Sequence, residues 1–253
     1  MARSILTAMA GLLLIAGPAT AVTLVNETFS HPDGNLVGLT PTPGPGGTWA
    51  AHSGAGTGSV QASGGAAVVR QASGANEDVN TAFGTALDAG GRLYAGFDLV
   101  VEATGVPTNV YFAMFMKGTS LFDGRIWITA PTTQGYRLAI SNDNSITEND
   151  GEAFTGDLAF GTKYRIVHSY DYDSKSATLW VNPVNEFSPS VTATDPGFSD
   201  EVSAYAFRQA GGNSTQTIDN LIVATSFSEA VPEPSTLALL GLSCLWIRPR
   251  RPA

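Results

Sequence analysis

From Val22 to Ala230, apolar stretches of about six to nine residues alternate with clusters of Gly, Asn, Asp and Pro, the rhythm of an antiparallel β-sandwich. The pattern predicts strands over Tyr94 to Glu102, Val110 to Lys117, Gly124 to Thr129, Tyr136 to Ser141, Tyr164 to Tyr172, Ala177 to Val181, Ala204 to Gln209 and Thr217 to Ala224. No amphipathic helical pattern of useful length interrupts them. Two of these strands flank the polar run Asp173-Ser174-Lys175-Ser176 and form a hairpin. Period-two alternation puts Leu179 and Val181 on one face and Trp180 on the other, and Pro183, which has no N–H to donate, stops the strand. The stretch from Phe29 to Gly91, with Pro41, Pro43, Pro45 and many Gly, Ala and Ser residues, differs in texture. It reads as early strands around Val22 to Phe29, Val60 to Gln61 and Ala66 to Arg70 joined by long loops, with a disordered linker as the alternative.

The two ends have other patterns. Met1 to Ala21 runs from Arg3 through an apolar stretch, Ile5 to Ala16, to Pro18-Ala19-Thr20-Ala21. This is the order of a secretory signal peptide, with Ala19 and Ala21 as the small residues before the cut. About 12 apolar residues are too few for a ~30 Å hydrocarbon core. At the other end, Val231-Pro232-Glu233-Pro234 leads to an apolar run, Leu237, Ala238, Leu239, Leu240, Gly241, Leu242, Ser243, Cys244, Leu245, Trp246 and Ile247. The basic residues Arg248, Arg250 and Arg251 follow. Prolines on both sides of Glu233 make an extended exit, and the apolar run suits a helix of about three turns without a polar face. Arginines beyond it favour the anionic cytoplasmic leaflet. A helix packed on the domain, with its arginines solvated, is the competing reading.

This tripartite end resembles the PEP-CTERM sorting signal. The resemblance implies recognition by a membrane-embedded exosortase, cleavage near Pro232-Glu233-Pro234, and delivery to the cell surface or extracellular matrix. The short helix and the prolines Pro249 and Pro252 depart from that pattern. Within the domain, Tyr164-Arg165-Ile166-Val167, Ala177 to Pro183, Phe207-Arg208-Gln209 and Ile218 to Val223 are similar to the last strands of LamG-like, concanavalin A-like jelly-roll domains. The expected organisation is therefore a signal peptide (1–21), an all-β antiparallel sandwich of that jelly-roll kind (22–230), and a sorting tail with a short C-terminal hydrophobic helix (231–253).

Charge and cysteine count narrow the function. Val22 to Ala230 carries 21 acidic and 9 basic residues, a balance of −12, and no run of Lys or Arg with interleaved aromatics, so nucleic acid is excluded as a partner. The single cysteine, Cys244, permits no intramolecular disulfide.

Candidate chemistry is sparse. Glu148-Asn149-Asp150-Gly151-Glu152 spells the Glu-x-Asp-x-Glu spacing of retaining β-glucanases, and a strand would put all three carboxylates on one face. Asn-Asp-Gly is instead a turn signal, and no aromatic residue flanks it. The same region, with Asp143, Glu148, Asp150 and Glu152, is rich in oxygen ligands and is a candidate Ca²⁺ site, although the EF-hand order is absent. Asp219-Asn220 reads as a structural pair. His31, His52 and His168 lack zinc spacing and read as lone surface or strand residues. Neither a Gly-x-Ser-x-Gly elbow nor a phosphate loop is present. Trp49, Trp127, Trp180, Tyr111 and Tyr136 are either sugar-stacking platforms or core.

The expected function is that of a non-catalytic structural or adhesive component of the envelope or an exopolysaccharide matrix. A carbohydrate-binding module is the alternative, with polysaccharide as partner, and a glycoside hydrolase comes third. Deleting residues 231–253 is expected to abolish surface retention in cell fractionation; an unchanged distribution would remove the sorting assignment.

Overall fold

A computed structural model describes residues 21–72, 76–87, 91–143, 152–194, 197 and 201–231. In chain order the strands are β1 (Thr23–Glu27), β2 (Gly34–Asn35), β3 (Ala50–Ser53), β4 (Gln61–Ser63), β5 (Ala66–Gln71), β6 (Asp78–Leu87), β7 (Arg92–Ala103) and β8 (Val110–Lys117). They continue as β9 (Leu121–Thr129), β10 (Arg137–Ser141), β11 (Glu152–Ala153), β12 (Tyr164–Asp171), β13 (Ala177–Val181), β14 (Ser190–Ala193), β15 (Val202–Phe207) and β16 (Ser214–Ala224). A single turn of helix, α1 (Phe227–Ala230), follows. The strands form two antiparallel sheets. One has nine strands, in the order β14-β13-β12-β7-β16-β5-β4-β2 with β1 also paired to β16; the other has seven, in the order β11-β10-β9-β8-β15-β6-β3. The chain is an antiparallel β-sandwich, as the alternating pattern predicts.

The predicted 164–181 hairpin forms, with Ile166 opposite Val181 and Tyr170 opposite Ala177, and Lys175 takes a positive φ of 57° in its turn. Leu179 enters the core and Trp180 the opposite face. The proline- and glycine-rich early segment contributes β2 to β6, so the strand reading holds there and the linker alternative does not.

A row of rings between the sheets joins them. Trp49 stacks on Phe207 at 5.4 Å, Phe207 meets Tyr205 at 5.8 Å, and Tyr205 meets Phe115 at 5.6 Å. Phe115 stacks on His168 at 4.6 Å, His168 meets Phe97 at 6.4 Å, and Phe97 meets Phe112 at 6.2 Å. All are buried, and each large apolar side chain removed from water stabilises the sandwich by about 1.5–3 kcal/mol.

Two histidines occupy places that the sequence does not suggest. His31 Nε2 donates to the buried Glu27 carboxylate at 3.1 Å. That carboxylate also accepts from the N–H groups of Phe29 (2.7 Å) and Thr42 (3.3 Å) and from the Trp49 indole (3.1 Å). A buried charge that gathers several donors is paired rather than stranded. His168 is neither surface nor solitary: it is fully buried on β12, and its Nε2 lies 2.8 Å from the Tyr205 hydroxyl on β15, a bond from sheet to sheet.

Burial pulls the His168 pKa down to about 3, from an unfolded value of 6.5. The unfolded chain binds the proton first, so stability from this group is complete above pH 6.5 and falls as pH drops toward 3. The stability advantage of the parent over His168→Gln, read by urea unfolding at several pH values, is expected to shrink by up to ~1.4 kcal/mol per pH unit below 6.5. An advantage independent of pH would contradict a neutral buried imidazole.

Candidate functional site

The outer face of the seven-stranded sheet carries a second cluster of side chains, set there by strand alternation. Tyr111 on β8 lies opposite Trp127 on β9, Trp127 opposite Ala139 on β10, and Ala139 opposite Ala153 on β11. Beside this row, Met114 faces Ala206 and Ala206 faces Asn80, while Met116 faces Ala204 and Ala204 faces Ala82. Small alanines thus form a floor beside large aromatic and thioether side chains. The Tyr111 and Trp127 rings meet edge to face at 5.0 Å, and the Trp127 indole donates to Ser141 Oγ at 2.8 Å.

Gly124 makes one feature of this face possible. Its φ is +57°, and a Cβ there would come within 3.2 Å of the Phe115 ring and 3.5 Å of His168. This break in alternation lets Phe122 join Arg125 and Trp127 on the outer side. His52 on β3 lies 5.9 Å from Phe122, and burial lowers its pKa to about 4.

Two guanidinium groups converge on Tyr111: Arg208 at 4.3 Å from the ring centroid and Arg125 at 5.3 Å. Each contact is a cation–π pair that also holds the guanidinium in place. Arg125 is buried, donates to the Asn142 carbonyl, and keeps an Nε without a hydrogen-bond partner. Burial lowers its pKa, against the raising influence of Tyr111, Asp123 and Asp143. Arg208 is half-buried and makes no ion pair among the described residues, whereas Arg92, Lys117, Lys163 and Arg165 each bond a carboxylate. Asp78 is near enough to feel its charge. Burial raises that carboxyl to about 6, with the Gln209 N–H and Arg208 pulling the other way. Two guanidiniums thus lie over aromatic rings on this face, with Asp78, Asp123 and Asp143 near enough to act on them.

Other residues singled out by sequence lie elsewhere. Trp49 and Tyr136 are core, and Trp180 packs with Tyr94 and Phe227 on the outer face of the nine-stranded sheet. Asp219 and Asn220 are structural: Asn220 Nδ2 donates to Asp98 (3.0 Å) and Asp219 (3.1 Å). Asp143 lies beside the cluster, its carbonyl accepting from Ser141 Oγ at 3.0 Å. Glu152 pairs with Ile140, a core residue, and is exposed at the sheet edge, so Ala153 rather than Glu152 shares the face of Trp127. Glu148 and Asp150 lie outside the described residues, as do the signal segment 1–20 and the tail 232–253. Among the described residues no group of three or more His, Cys, Asp or Glu is placed to hold a metal ion.

A separate cavity of about 560 Å³ lies beside the β9–β10 turn, lined in part by Asp157, Phe160 and Tyr164. Asp157 is committed to that turn: it accepts from the N–H groups of Thr132 (2.8 Å) and Thr133 (2.7 Å) and from the Thr133 hydroxyl (2.8 Å). The Thr132 N–H leads the bonds that hold its pKa at about 2. A carboxylate so occupied positions a loop rather than a ligand.

No protein-family profile and no curated protein matches the chain. Solved structures resemble it at low identity. A sialidase has a TM-score of 0.48 at 10% identity, over 88% of this chain and 21% of its own, so this chain spans about a fifth of that protein. The carbohydrate recognition domain of Emp47p has a TM-score of 0.46 at 11% identity, over 81% of this chain and 95% of its own. A lectin from Bauhinia forficata in complex with GalNAc has a TM-score of 0.45 at 14% identity, over 71% and 92%. The ligands of these proteins are theirs alone.

The bond between Trp127 and Ser141 is buried. Ser141→Ala is expected to leave the indole N–H without a partner and cost about 1–3 kcal/mol in urea unfolding. No loss would mean that the ring is not held there.

Proposed function

We propose that this protein is a non-catalytic carbohydrate-binding β-sandwich directed to the cell envelope, and that the outer face of the seven-stranded sheet is its binding face. The carrying observation is the pair of guanidiniums, Arg208 and Arg125, over Tyr111 and beside Trp127. The planar fork of arginine matches a carboxylate with two parallel hydrogen bonds, and a ring beneath it limits the freedom lost on binding. Sugars bearing carboxylates, as in polyuronates, fit this chemistry better than neutral ones.

Adhesion follows from such a site: a surface protein that holds an acidic polysaccharide is a component of the envelope or its matrix. Support for the address comes from the sequence, with its signal segment, the Pro232-Glu233-Pro234 motif and the apolar and basic end. An exosortase-type processing enzyme is the partner that this end calls for.

Retention of the purified protein on immobilised polygalacturonate and on neutral galactan, with and without Ca²⁺, tests the reading. Stronger retention on the polyuronate is expected, with a loss of about tenfold in Arg208→Gln, the equivalent of one charge-assisted hydrogen bond. Its thermal unfolding should match the parent. Retention of the variant equal to the parent's would remove Arg208 from the site, and no retention on any glycan would favour a purely structural envelope role.

A further inference from the structure

The loop between β13 and β14, residues 182–189, exposes two apolar side chains, Val184 (85% exposed) and Phe187 (97%). Solvated phenylalanine at a loop tip is ordinary when the loop is loose. This loop is not loose. Ser188 Oγ accepts from the N–H groups of Val184 (3.1 Å) and Asn185 (3.2 Å), and Asn185 Oδ1 accepts from the Phe187 N–H at 3.0 Å. Its only charged residue, Glu186, is turned back to the sheet: its carboxylate accepts from the Tyr94 hydroxyl (2.5 Å) and Arg92 (3.1 Å), and its carbonyl accepts from the Trp180 indole (3.2 Å). The apolar pair is therefore held outward by a braced backbone, and the one carboxylate is withdrawn from beside it.

The same two anchoring residues receive the C-terminal end of the domain. Phe227 of α1 packs on Trp180 at 5.2 Å and on Tyr94 at 5.7 Å, and Val231 packs against this cluster. Arg165 donates to the Ala230 carbonyl at 2.6 Å, and Gly96 lacks the Cβ that would collide with that carbonyl. Position 231 is thus fixed beside the loop. The apolar run begins at Leu237, within about 20 Å of extended chain from Val231. A membrane that receives Leu237 to Ile247 must lie within that reach of Val231, which packs on the same Trp180 that holds the loop.

We infer that residues 184–187 form a lipid-contacting tip that seats the sandwich on the membrane surface while the tail is inserted. The inference rests on the reading of 231–253 as membrane-directed. Its chemistry is the partition of Val184 and Phe187 into the interfacial region beside the tail, with Glu186 kept bonded to Tyr94 and Arg92.

The full chain, bound to phosphatidylcholine vesicles with and without brominated acyl chains, provides the test. With Phe187→Trp, emission from the added indole is expected to shift to the blue and to be quenched by the brominated lipid. Val184→Asp combined with Phe187→Asp is expected to lower vesicle partition about tenfold or more against the parent. An added indole that keeps its aqueous emission, or a double variant that partitions like the parent, overturns the inference and leaves the tail reading standing. A parent chain that does not partition at all overturns both. A concentration-dependent dimer abolished by the double variant, without a change in partition, assigns the tip to a second copy of the chain and overturns the lipid contact.

Discussion

The sandwich depends on the row of rings that fills the space between its sheets. From Trp49 through Phe207, Tyr205, Phe115 and His168 to Phe97 and Phe112, consecutive centroids are within 6.4 Å. Residues from β7, β8, β12 and β15 meet in this row, so the inward face of each of those strands is fixed. The outward face is fixed with it, because a one-residue slip would turn every inward ring to solvent. The Tyr111, Arg125, Trp127 and Arg208 cluster is thus a consequence of what the core demands on the other side of the same strands. Gly124 is the exception, where a local break in alternation serves both faces: it makes room for Phe115 and His168 within and brings Phe122 beside Arg125 without.

Buried charges at two places order the segments that strand pairing alone leaves free. Glu27 collects four donors and closes the proline-rich turn around residues 42–49 onto β1. Arg165 does the converse at the other end, donating to Asp98, to the Asn220 carbonyl and to the Ala230 carbonyl. Desolvation of either ion would be costly without these partners. Thr42 and Trp49 reach Glu27 from 15 and 22 positions away, and the partners of Arg165 lie 55 to 67 positions off, so neither network is visible as a motif.

Much of the fold was legible in the sequence, because β7 to β10 and β12, β13, β15 and β16 carry enough Val, Ile, Leu and aromatic residues to show their period. The strands β3, β6 and β14 were not, since their outward positions are Ala, Asn, Thr and Ser and their inward ones are few. Aromatic content marked Tyr111 and Trp127, but nothing local separated them from Trp49 and Tyr136, which are core. That distinction needs the sheet register. Arg125 and Arg208 lie 83 positions apart and meet only because β8, between their strands, puts Tyr111 under both. His168 reads as a lone residue for a similar reason: its partner Tyr205 is on the opposite sheet.

The hold on Ala230 has a mechanical meaning. Chain beyond Val231 leaves from a point gripped by Arg165 of β12 and seated over Gly96 of β7, directly after β16. In the nine-stranded sheet β12, β7 and β16 are neighbours in its interior rather than at an edge. Tension applied through the C-terminus is therefore delivered to the middle of the sheet, where several hydrogen-bond ladders share the load at once, instead of unzipping an outer strand one bond at a time.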